Sequence, residues 1–266
     1  MAMHHHPAQL LLAVVLALGA ALAPGHAQSA DSPPRAAGEP LTFVIVHGAW
    51  GGGWAFREVE RLLRAEGHIV YRPTLTGQGE KVHLAHPDID LTTHVTDVAH
   101  VILWEELQNV VLVGHSYGGM VITGAADRVP DRLRQLIYLD ALVPNDGESL
   151  FDAFGPQATE RLKIVDGFIP AHPGAETKAP PHDVPHPAKT LTQPLVLAQP
   201  DALKRIPTSY VLYVPTGASL EQAPFFRFFS RAKDRGWHVT TLESDHNAQW
   251  SHPRELAALL LELASR

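Results

Sequence analysis

The stretch VVLVGHSYGGMV, residues 110–121, decides the fold prediction because it joins a strand, a turn and a helix start. The apolar run VVLV is typical of a strand that is buried on both faces of a parallel sheet. The turn GHSYG follows, and MVITGAADRV from Met120 favours a helix. Ser116 therefore lies at a strand–turn–helix junction, the context in which a G-x-S-x-G serine is exposed as a nucleophile. The alternative is a serine that only turns the chain.

Outward from this stretch, short β-rich runs alternate with helical patterns. The runs are LTFVIV (41–46), IVYR (69–72), VVLV (110–113), LIYL (136–139), SYVLYV (209–214) and HVTTL (238–242). Further helical patterns cover residues 54–66, 92–107 (with Thr92 or Thr93 as N-cap), 222–235 and 253–264. This alternation predicts an α/β fold, a doubly wound and mostly parallel sheet with helices on both faces.

The N-terminal segment differs from the rest of the chain because residues 1–27 contain no Asp, Glu, Lys or Arg. The apolar run LLLAVVLALGAALA (10–23) precedes PGHA and predicts a signal peptide over residues 1–27, cleaved after Ala27. The run is short for a spanning helix, which needs about 20 apolar residues; an uncleaved anchor is the alternative. Residues 28–40 predict a disordered linker and residues 41–266 the folded domain. We expect a periplasmic or secreted protein without stable membrane association after cleavage.

One long segment, residues 144–207, breaks the alternation. It holds many prolines, including the cluster APPHDVPHPAKT (179–190), and few strand-like runs. A connection of this length predicts a cap insertion over a site, with a floppy surface excursion as the alternative. Its apolar side chains are expected to form, with Trp50, a mainly apolar substrate pocket: Phe151, Phe154, Phe168 and Ile169.

A serine nucleophile needs a base, and the chain has 17 histidines, so position must select one. His246 follows the last predicted strand, and functional groups gather at the carboxyl ends of strands in open α/β sheets. A loop histidine at this edge can accept the serine proton. His252 is the nearest rival, but it starts the last helix. His115 adjoins Ser116 in sequence, and its side chain is expected to point the other way.

The third group should be a carboxylate that orients the imidazole and stabilises its charged form. Asp140 directly follows the strand LIYL and is the preferred candidate. Glu221, seven residues beyond SYVLYV, is the alternative. Asp245 adjoins the histidine and is too close in sequence to bridge back to it.

Acyl transfer also needs backbone donors for an oxyanion. The N–H of Tyr117, directly after the nucleophile, is the first. The second is expected in HGAWGGGW (47–54), after the first strand, where small residues let the backbone approach a substrate; we choose the N–H of Ala49. A phosphate-binding loop is the rival interpretation, but this segment lacks G-K-[ST] and its glycines do not fit G-x-G-x-x-G.

Composition excludes several other classes of function. The formal net charge of −7 argues against a nucleic-acid partner, which requires a basic patch. The absence of cysteine excludes disulfides, thiolate metal sites and a cysteine nucleophile. No H-E-x-x-H occurs, and Pro185 separates His182 from His186. We therefore expect neither a metal nor a cofactor.

Four segments together resemble the α/β-hydrolase superfamily: VIVHGAWGGGW, VVLVGHSYGGMV, LIYLDALVP and ESDHNAQWSHPRELAALL. The likeness is to the branch that contains bacterial EstC-like esterases, plant methyl-ester esterases and hydroxynitrile lyases. It implies an α/β-hydrolase fold with Ser116 as nucleophile, His246 as base, and amides of Ala49 and Tyr117 in the oxyanion hole. The plant enzymes carry their acid after the strand corresponding to SYVLYV, where this chain has PTGA (215–218).

Two positions separate the esterases of this branch from the lyases. The lyases resemble one another in a threonine at the position of Gly48 and a lysine at the position of Asn247. Neither is present here, which favours a serine carboxylesterase acting on small, mainly apolar esters through an acyl-enzyme. The alternatives are a hydroxynitrile lyase, a C–C or amide hydrolase, or a non-catalytic ligand-binding receptor on the same scaffold.

Overall fold

The structure, a computed structural model, describes residues 39–266. The predicted signal peptide (1–27) and nearly all of the predicted linker (28–40) lie outside the described residues. Within the part of the chain that is described, no helix combines the length and the apolar character needed to cross a membrane.

Eight strands lie in two sheets within the described residues: β1 (Thr42–Val46), β2 (Ile69–Tyr71), β3 (Val110–His115), β4 (Leu133–Leu139), β5 (Phe168–Ile169), β6 (His186–Pro187), β7 (Thr208–Val214) and β8 (His238–Glu243). The main sheet has the order β2-β1-β3-β4-β7-β8, with every neighbouring pair parallel. β5 and β6 pair antiparallel in the second sheet. All six predicted strands lie in the main sheet, and the predicted α/β-hydrolase fold is confirmed.

Ten α-helices accompany the strands in this part of the chain: α1 (Arg57–Ala65), α2 (Leu91–Trp104), α3 (Gly118–Arg128), α4 (Leu150–Phe154), α5 (Pro156–Arg161), α6 (Lys189–Thr192), α7 (Pro200–Leu203), α8 (Phe226–Asp234), α9 (Ala248–Ser251) and α10 (Pro253–Ala264). The predicted N-cap of α2 is wrong by two or three residues: the Asp90 carboxylate accepts the Thr93 N–H at 2.8 Å. The helix predicted over 222–235 begins only at Phe226, because residues 220–222 form a 3₁₀ turn.

The core lies on both faces of the main sheet. Along β1, Phe43 and Ile45 pack with α1 and α10, whereas Val44 and Val46 pack with α2, α3 and α8. This alternation follows from the two-residue period of a strand, which sends successive side chains to opposite faces. Helices on both faces explain why the central strands contain continuous apolar runs such as FVIV in β1 and VVLV in β3.

The order of the main sheet reverses between β1 and β3, since the chain moves from β1 to β2 on one side and from β3 to β4 on the other. In open α/β sheets, the crevice outside the carboxyl ends of the strands at such a reversal is where ligands bind. The loop that follows β1 carries HGAWGGGW, and GHSYG spans the end of β3 and the turn after it. The topology therefore places both glycine-rich loops beside one crevice.

Residues 144–207, called the cap below, contain α4 to α7 and the two-stranded sheet. α6 packs on α2, and α7 packs on α3. Leu150 and Leu191 of the cap are buried in the same apolar core as β3 and α3. The segment thus contributes to the core above the carboxyl edge of the sheet.

Candidate active site

Ser116 lies at a tight turn that requires glycine two residues before it and two residues after it. Its backbone φ is 55°, in the left-handed region that costs a non-glycine residue roughly 1–3 kcal/mol. A Cβ at Gly114 would lie 2.7 Å from the carbonyl oxygen of Gly118, and a Cβ at Gly118 would lie 2.7 Å from that of Val46. The spacing of the G-x-S-x-G pattern is therefore a steric requirement of the turn.

The structure brings Ser116, His246 and Asp140 into one chain of hydrogen bonds. Nε2 of His246 lies 3.0 Å from Oγ of Ser116, and Nδ1 lies 2.6 Å from Oδ2 of Asp140. An ionised Asp140 accepts the Nδ1 proton, which leaves Nε2 free to take a proton from the serine hydroxyl.

Asp140 is 1% exposed, and its second oxygen accepts the backbone N–H of Tyr213 at 3.2 Å. Burial raises the pKa of the Asp140 carboxyl, while its hydrogen bond to His246 and the charge of that imidazole act in the opposite direction. Burial thus opposes ionisation of the Asp140 carboxyl, and the hydrogen bond and charge of His246 favour it.

The three side chains reach one another because each lies at or just beyond the carboxyl end of a parallel strand. Ser116 follows β3, Asp140 follows β4, and His246 lies in the loop after β8. The alternatives from the sequence lie elsewhere: Glu221 is exposed in the 3₁₀ turn. Asp245 accepts the Asn247 N–H at 2.8 Å, and His252 bonds Ser244 through Nδ1 at 3.0 Å.

Two further rings hold the imidazole of His246. Phe225 stacks on it with centroids 4.8 Å apart and planes at 12°. The ring of His115 lies 4.7 Å away, and its Nε2 donates to the backbone carbonyl of His246 at 2.8 Å. We expected the His115 side chain to point away from Ser116, but its contact with a loop 131 residues along the chain is not readable from sequence. Burial lowers the pKa of His115, which keeps the ring neutral.

The proposed oxyanion donors are the backbone N–H groups of Ala49 and Tyr117. Among residues 39–266, neither group donates to a protein acceptor. His47 fixes the peptide that carries the first of them, because its Nδ1 donates to the Gly48 carbonyl at 2.7 Å. In a trans peptide the carbonyl and the following N–H point in opposite directions, so anchoring the Gly48 oxygen aims the Ala49 N–H.

The second ring nitrogen of His47 accepts the Leu75 N–H at 3.1 Å. One donor and one acceptor are what a neutral imidazole offers. Burial lowers the pKa of His47 to about 4, which maintains this form at neutral pH. The role of His47 is not predicted from the sequence, although its position at the start of HGAWGGGW, directly after β1, is a signal that points to it.

Gly48 also has a steric role. A Cβ at this position would lie 3.0 Å from Cβ of Ser116 and 3.2 Å from Nδ1 of His115. A branched side chain here would crowd the serine and its neighbour. The absence of a side chain at residue 48 therefore leaves room beside the Ser116 hydroxyl.

The cavity beside Ser116 has two lobes, and four residues line both of them: Ala49, Trp50, Ser116 and His246. The first, of about 220 Å³, is mainly apolar. Its other lining residues are Tyr117, Leu142, Leu150, Phe154, Ala158, Arg161, Leu162, Leu191 and Phe225. The second, of about 230 Å³, is more polar and includes His172, Asp183, Asn247, Gln249 and Trp250.

The predicted composition of the apolar pocket was wrong in part. Of the four cap residues expected to line it, Phe154 does so, whereas Phe151, Phe168 and Ile169 line neither lobe. Phe151 and Ile169 instead pack into the core. In the described part of the chain, no three His, Asp or Glu side chains come close enough to hold a metal ion.

Comparison with known proteins gives consistent matches over most of the chain. The profile of the alpha/beta hydrolase family matches residues 43–259. A carbendazim hydrolyzing esterase from Nocardioides sp. (strain SG-4G) is 38% identical over 245 residues, which cover 83% of this chain and 98% of that relative. Salicylic acid-binding protein 2 from Nicotiana tabacum is 26% identical over 260 residues, covering 84% of this chain and 97% of that one.

A solved structure of an alpha/beta-hydrolase is also similar to this chain. An extracellular alpha/beta-hydrolase from a Paenibacillus species, described as structurally and functionally homologous to the tobacco protein, superposes with a TM-score of 0.71 at 25% identity. The match covers 84% of this chain and 99% of that chain.

Because several histidines are buried, we expect the free energy of unfolding to fall in acid. Burial lowers the pKa values of His47 and His94 from 6.5 to about 4. Between these pH values the unfolded chain binds protons that the folded chain does not, so the free energy of unfolding falls as the pH falls. Each histidine should contribute a loss of roughly 3 kcal/mol by pH 4, at about 1.4 kcal/mol per pKa unit. Urea unfolding between pH 7 and pH 4 measures this loss.

The variant His94→Gln should make the pH dependence shallower by about one proton over this window, because the buried titrating group is gone. His100→Gln is the matched control, since His100 is an exposed histidine on the same helix. An equal slope in wild type and His94→Gln would contradict the assignment of the acid loss to the buried rings.

Proposed function

The chain belongs to the alpha/beta hydrolase family, and from that premise we propose that it is a serine carboxylesterase that cleaves small, mainly apolar carboxylic esters through an acyl-enzyme. The observation that carries the proposal is the hydrogen-bonded series Ser116–His246–Asp140 at the wall of an apolar cavity. Relatives named as esterases support an ester hydrolase on this scaffold.

In the proposed first half-reaction, Oγ of Ser116 attacks the ester carbonyl carbon as Nε2 of His246 takes the hydroxyl proton. Buried Asp140 stabilises the resulting imidazolium through its hydrogen bond to Nδ1. The N–H groups of Ala49 and Tyr117 receive the negative oxygen of the tetrahedral intermediate. Collapse of the intermediate breaks the bond to the alkoxy group, which leaves as the alcohol with the proton from His246.

In the second half-reaction, His246 takes a proton from water as the water oxygen attacks the acyl-enzyme carbonyl. The same amides receive the oxyanion. Collapse breaks the bond to Oγ of Ser116, returns the proton to the serine and releases the carboxylic acid. No other reactant is needed, since ester and water supply every atom of the acid and the alcohol.

Size and polarity of the cavity support neutral esters of modest length. The apolar lobe holds about 220 Å³ and is lined largely by aliphatic and aromatic side chains. Asn247 lines the other lobe at the position where the lyases of this branch resemble one another in lysine. The Nocardioides relative is named for the hydrolysis of carbendazim, and we extend to this chain only the ester class.

Substitution of the nucleophile tests the proposal most directly. Ser116→Ala should lower kcat for p-nitrophenyl butyrate by on the order of 10⁶-fold, because no other group can form the acyl-enzyme. Release of p-nitrophenol measures the rate. Ser265→Ala, at the exposed end of the last helix, serves as the control and should keep wild-type activity. Wild-type turnover by Ser116→Ala would contradict the mechanism.

The acid is tested by a pair of isosteric variants. Asp140→Asn should lower kcat by about 10⁴-fold, since an amide cannot stabilise the imidazolium and favours the wrong tautomer. Glu221→Gln should stay close to wild type, because Glu221 is exposed in its 3₁₀ turn. If Glu221→Gln alone loses several orders of magnitude, the acid has been assigned to the wrong residue.

We also propose that the protein is exported and that its signal peptide is cleaved after Ala27. The uncharged, apolar segment over residues 1–27 supports this, and the similar Paenibacillus protein is described as extracellular. Expression of the full chain should give a periplasmic or secreted product whose intact mass begins at Gln28. A chain without residues 2–27 should remain in the cytoplasm as the control. An exported product that still begins at Met1 would contradict cleavage.

A further inference from the structure

Trp50, the residue after the Ala49 amide, has a backbone that needs external support. Its φ is 64°, in the left-handed region, where a bulky side chain costs roughly 1–3 kcal/mol. Such a conformation persists only when the surrounding structure holds it. Because Trp50 follows Ala49 directly, whatever holds it also restricts the direction of the Ala49 N–H.

The cap holds Trp50 at three points. Its backbone N–H donates to Nδ1 of His186 at 3.2 Å. Its carbonyl accepts the Val184 N–H at 2.9 Å, and its indole N–H donates to the Ile169 carbonyl at 3.3 Å. All three partners lie between residues 144 and 207, more than 100 residues from Trp50 in sequence. The loop after β1 is therefore held by the cap as well as by the sheet.

His186 is the one side chain among these three partners. It is 0% exposed, and its ring lies against those of Tyr117 and His94, with centroids 5.0 Å and 5.8 Å away. It lines neither lobe of the described cavity. Any effect of His186 on the reaction must therefore act through Trp50 or another neighbour.

The Trp50 N–H donates to Nδ1 of His186, which requires a ring proton on Nε2, and the hydrogen bonds of Thr190 agree with this tautomer. The Thr190 hydroxyl donates to the Pro187 carbonyl at 2.7 Å, so it accepts from Nε2 of His186, also at 2.7 Å. The ring proton then lies on Nε2, and Nδ1 is free to accept the Trp50 N–H. Oε1 of Gln78, 2.9 Å from Nδ1, could bond there only if the ring proton moved to that nitrogen.

We propose that His186 is a positioning residue for the oxyanion hole. Because it acts through Trp50, the geometry of the hole depends on the packing of the cap against the loop after β1. His47 anchors the peptide between Gly48 and Ala49, and His186 anchors the next peptide, between Ala49 and Trp50. The two peptides on either side of the Ala49 α-carbon are thus held by two buried histidines. This role rests on the proposed function, since the hole matters only if the chain performs acyl transfer.

Two amide variants that differ by one methylene test the role. The side-chain carbonyl of Asn occupies nearly the place of Nδ1, so His186→Asn keeps an acceptor for the Trp50 N–H. The longer side chain of His186→Gln places its amide near Thr190 instead and offers Trp50 no acceptor. With p-nitrophenyl butyrate, His186→Gln and His186→Leu should lower kcat by about tenfold to a hundredfold. KM should change by less than about threefold, because His186 does not touch substrate. His186→Asn should recover most of the wild-type kcat.

A second readout separates positioning from a general loss of structure. A trifluoromethyl ketone forms a tetrahedral adduct with the serine and uses the oxyanion hole, while the matching methyl ketone binds mainly as a ground-state analogue. In His186→Gln, the ratio of the two affinities should fall by the same factor as kcat. Rates are expressed per active site titrated with a phosphonate, so a partly unfolded variant does not imitate the effect.

The outcomes distinguish the two proposals. Wild-type turnover that Ser116→Ala abolishes establishes the proposed function independently of His186. An unchanged kcat per active site in both His186→Leu and His186→Gln would then overturn the role of His186 alone, as would equal losses in the Asn and Gln variants. If His186→Leu does not fold, the Asn and Gln pair decides the question. Absence of wild-type turnover would overturn both proposals.

Discussion

Close packing of backbone around Ser116 is the constraint on which the rest of the site depends. The turn after β3 packs against the carbonyl of Val46 at the end of β1, which leaves no room for a side chain at Gly118, and Gly118 in turn leaves none at Gly114. This contact joins the two strands between which the sheet order reverses. It therefore places the serine and the loop of Ala49 beside each other through backbone packing alone, without a side-chain hydrogen bond.

Buried histidines hold the backbone around this turn. Four histidines are buried in the described part of the chain: His47, His94, His115 and His186. Burial lowers the pKa of each, so each remains a neutral ring with one donor and one acceptor. Three of them bond the backbone of Gly48, Trp50 or His246, which are site residues or their neighbours. Because these bonds require neutral rings, the free energy of unfolding should fall in acid.

The sequence was sufficient to predict the sheet and the residues that end its strands. Apolar runs specify buried parallel strands, and the carboxyl ends of such strands meet at one edge, so Ser116, Asp140 and His246 could be placed together. Cap residues could not be placed in the same way. Phe151 and Phe154 lie three apart on one short helix, yet only Phe154 lines the cavity, because the docking of that helix decides which side faces inward. His115 and His186 were missed since their partners lie more than 100 residues away.

Trp50 connects the chemistry of the site with the shape of its cavity. Trp50 lines both lobes, while its backbone follows Ala49, whose amide is a proposed oxyanion donor, and is bonded to the cap. A shift of the cap would therefore move a residue that lines both lobes and change the hydrogen bond at the peptide between Ala49 and Trp50 at the same time. Since long insertions vary more easily than buried strands, the cap is where new substrate shapes can arise. If His186 has the proposed role, such a change must keep an acceptor for the Trp50 N–H, because otherwise the new pocket shape comes with a less fixed Ala49 amide.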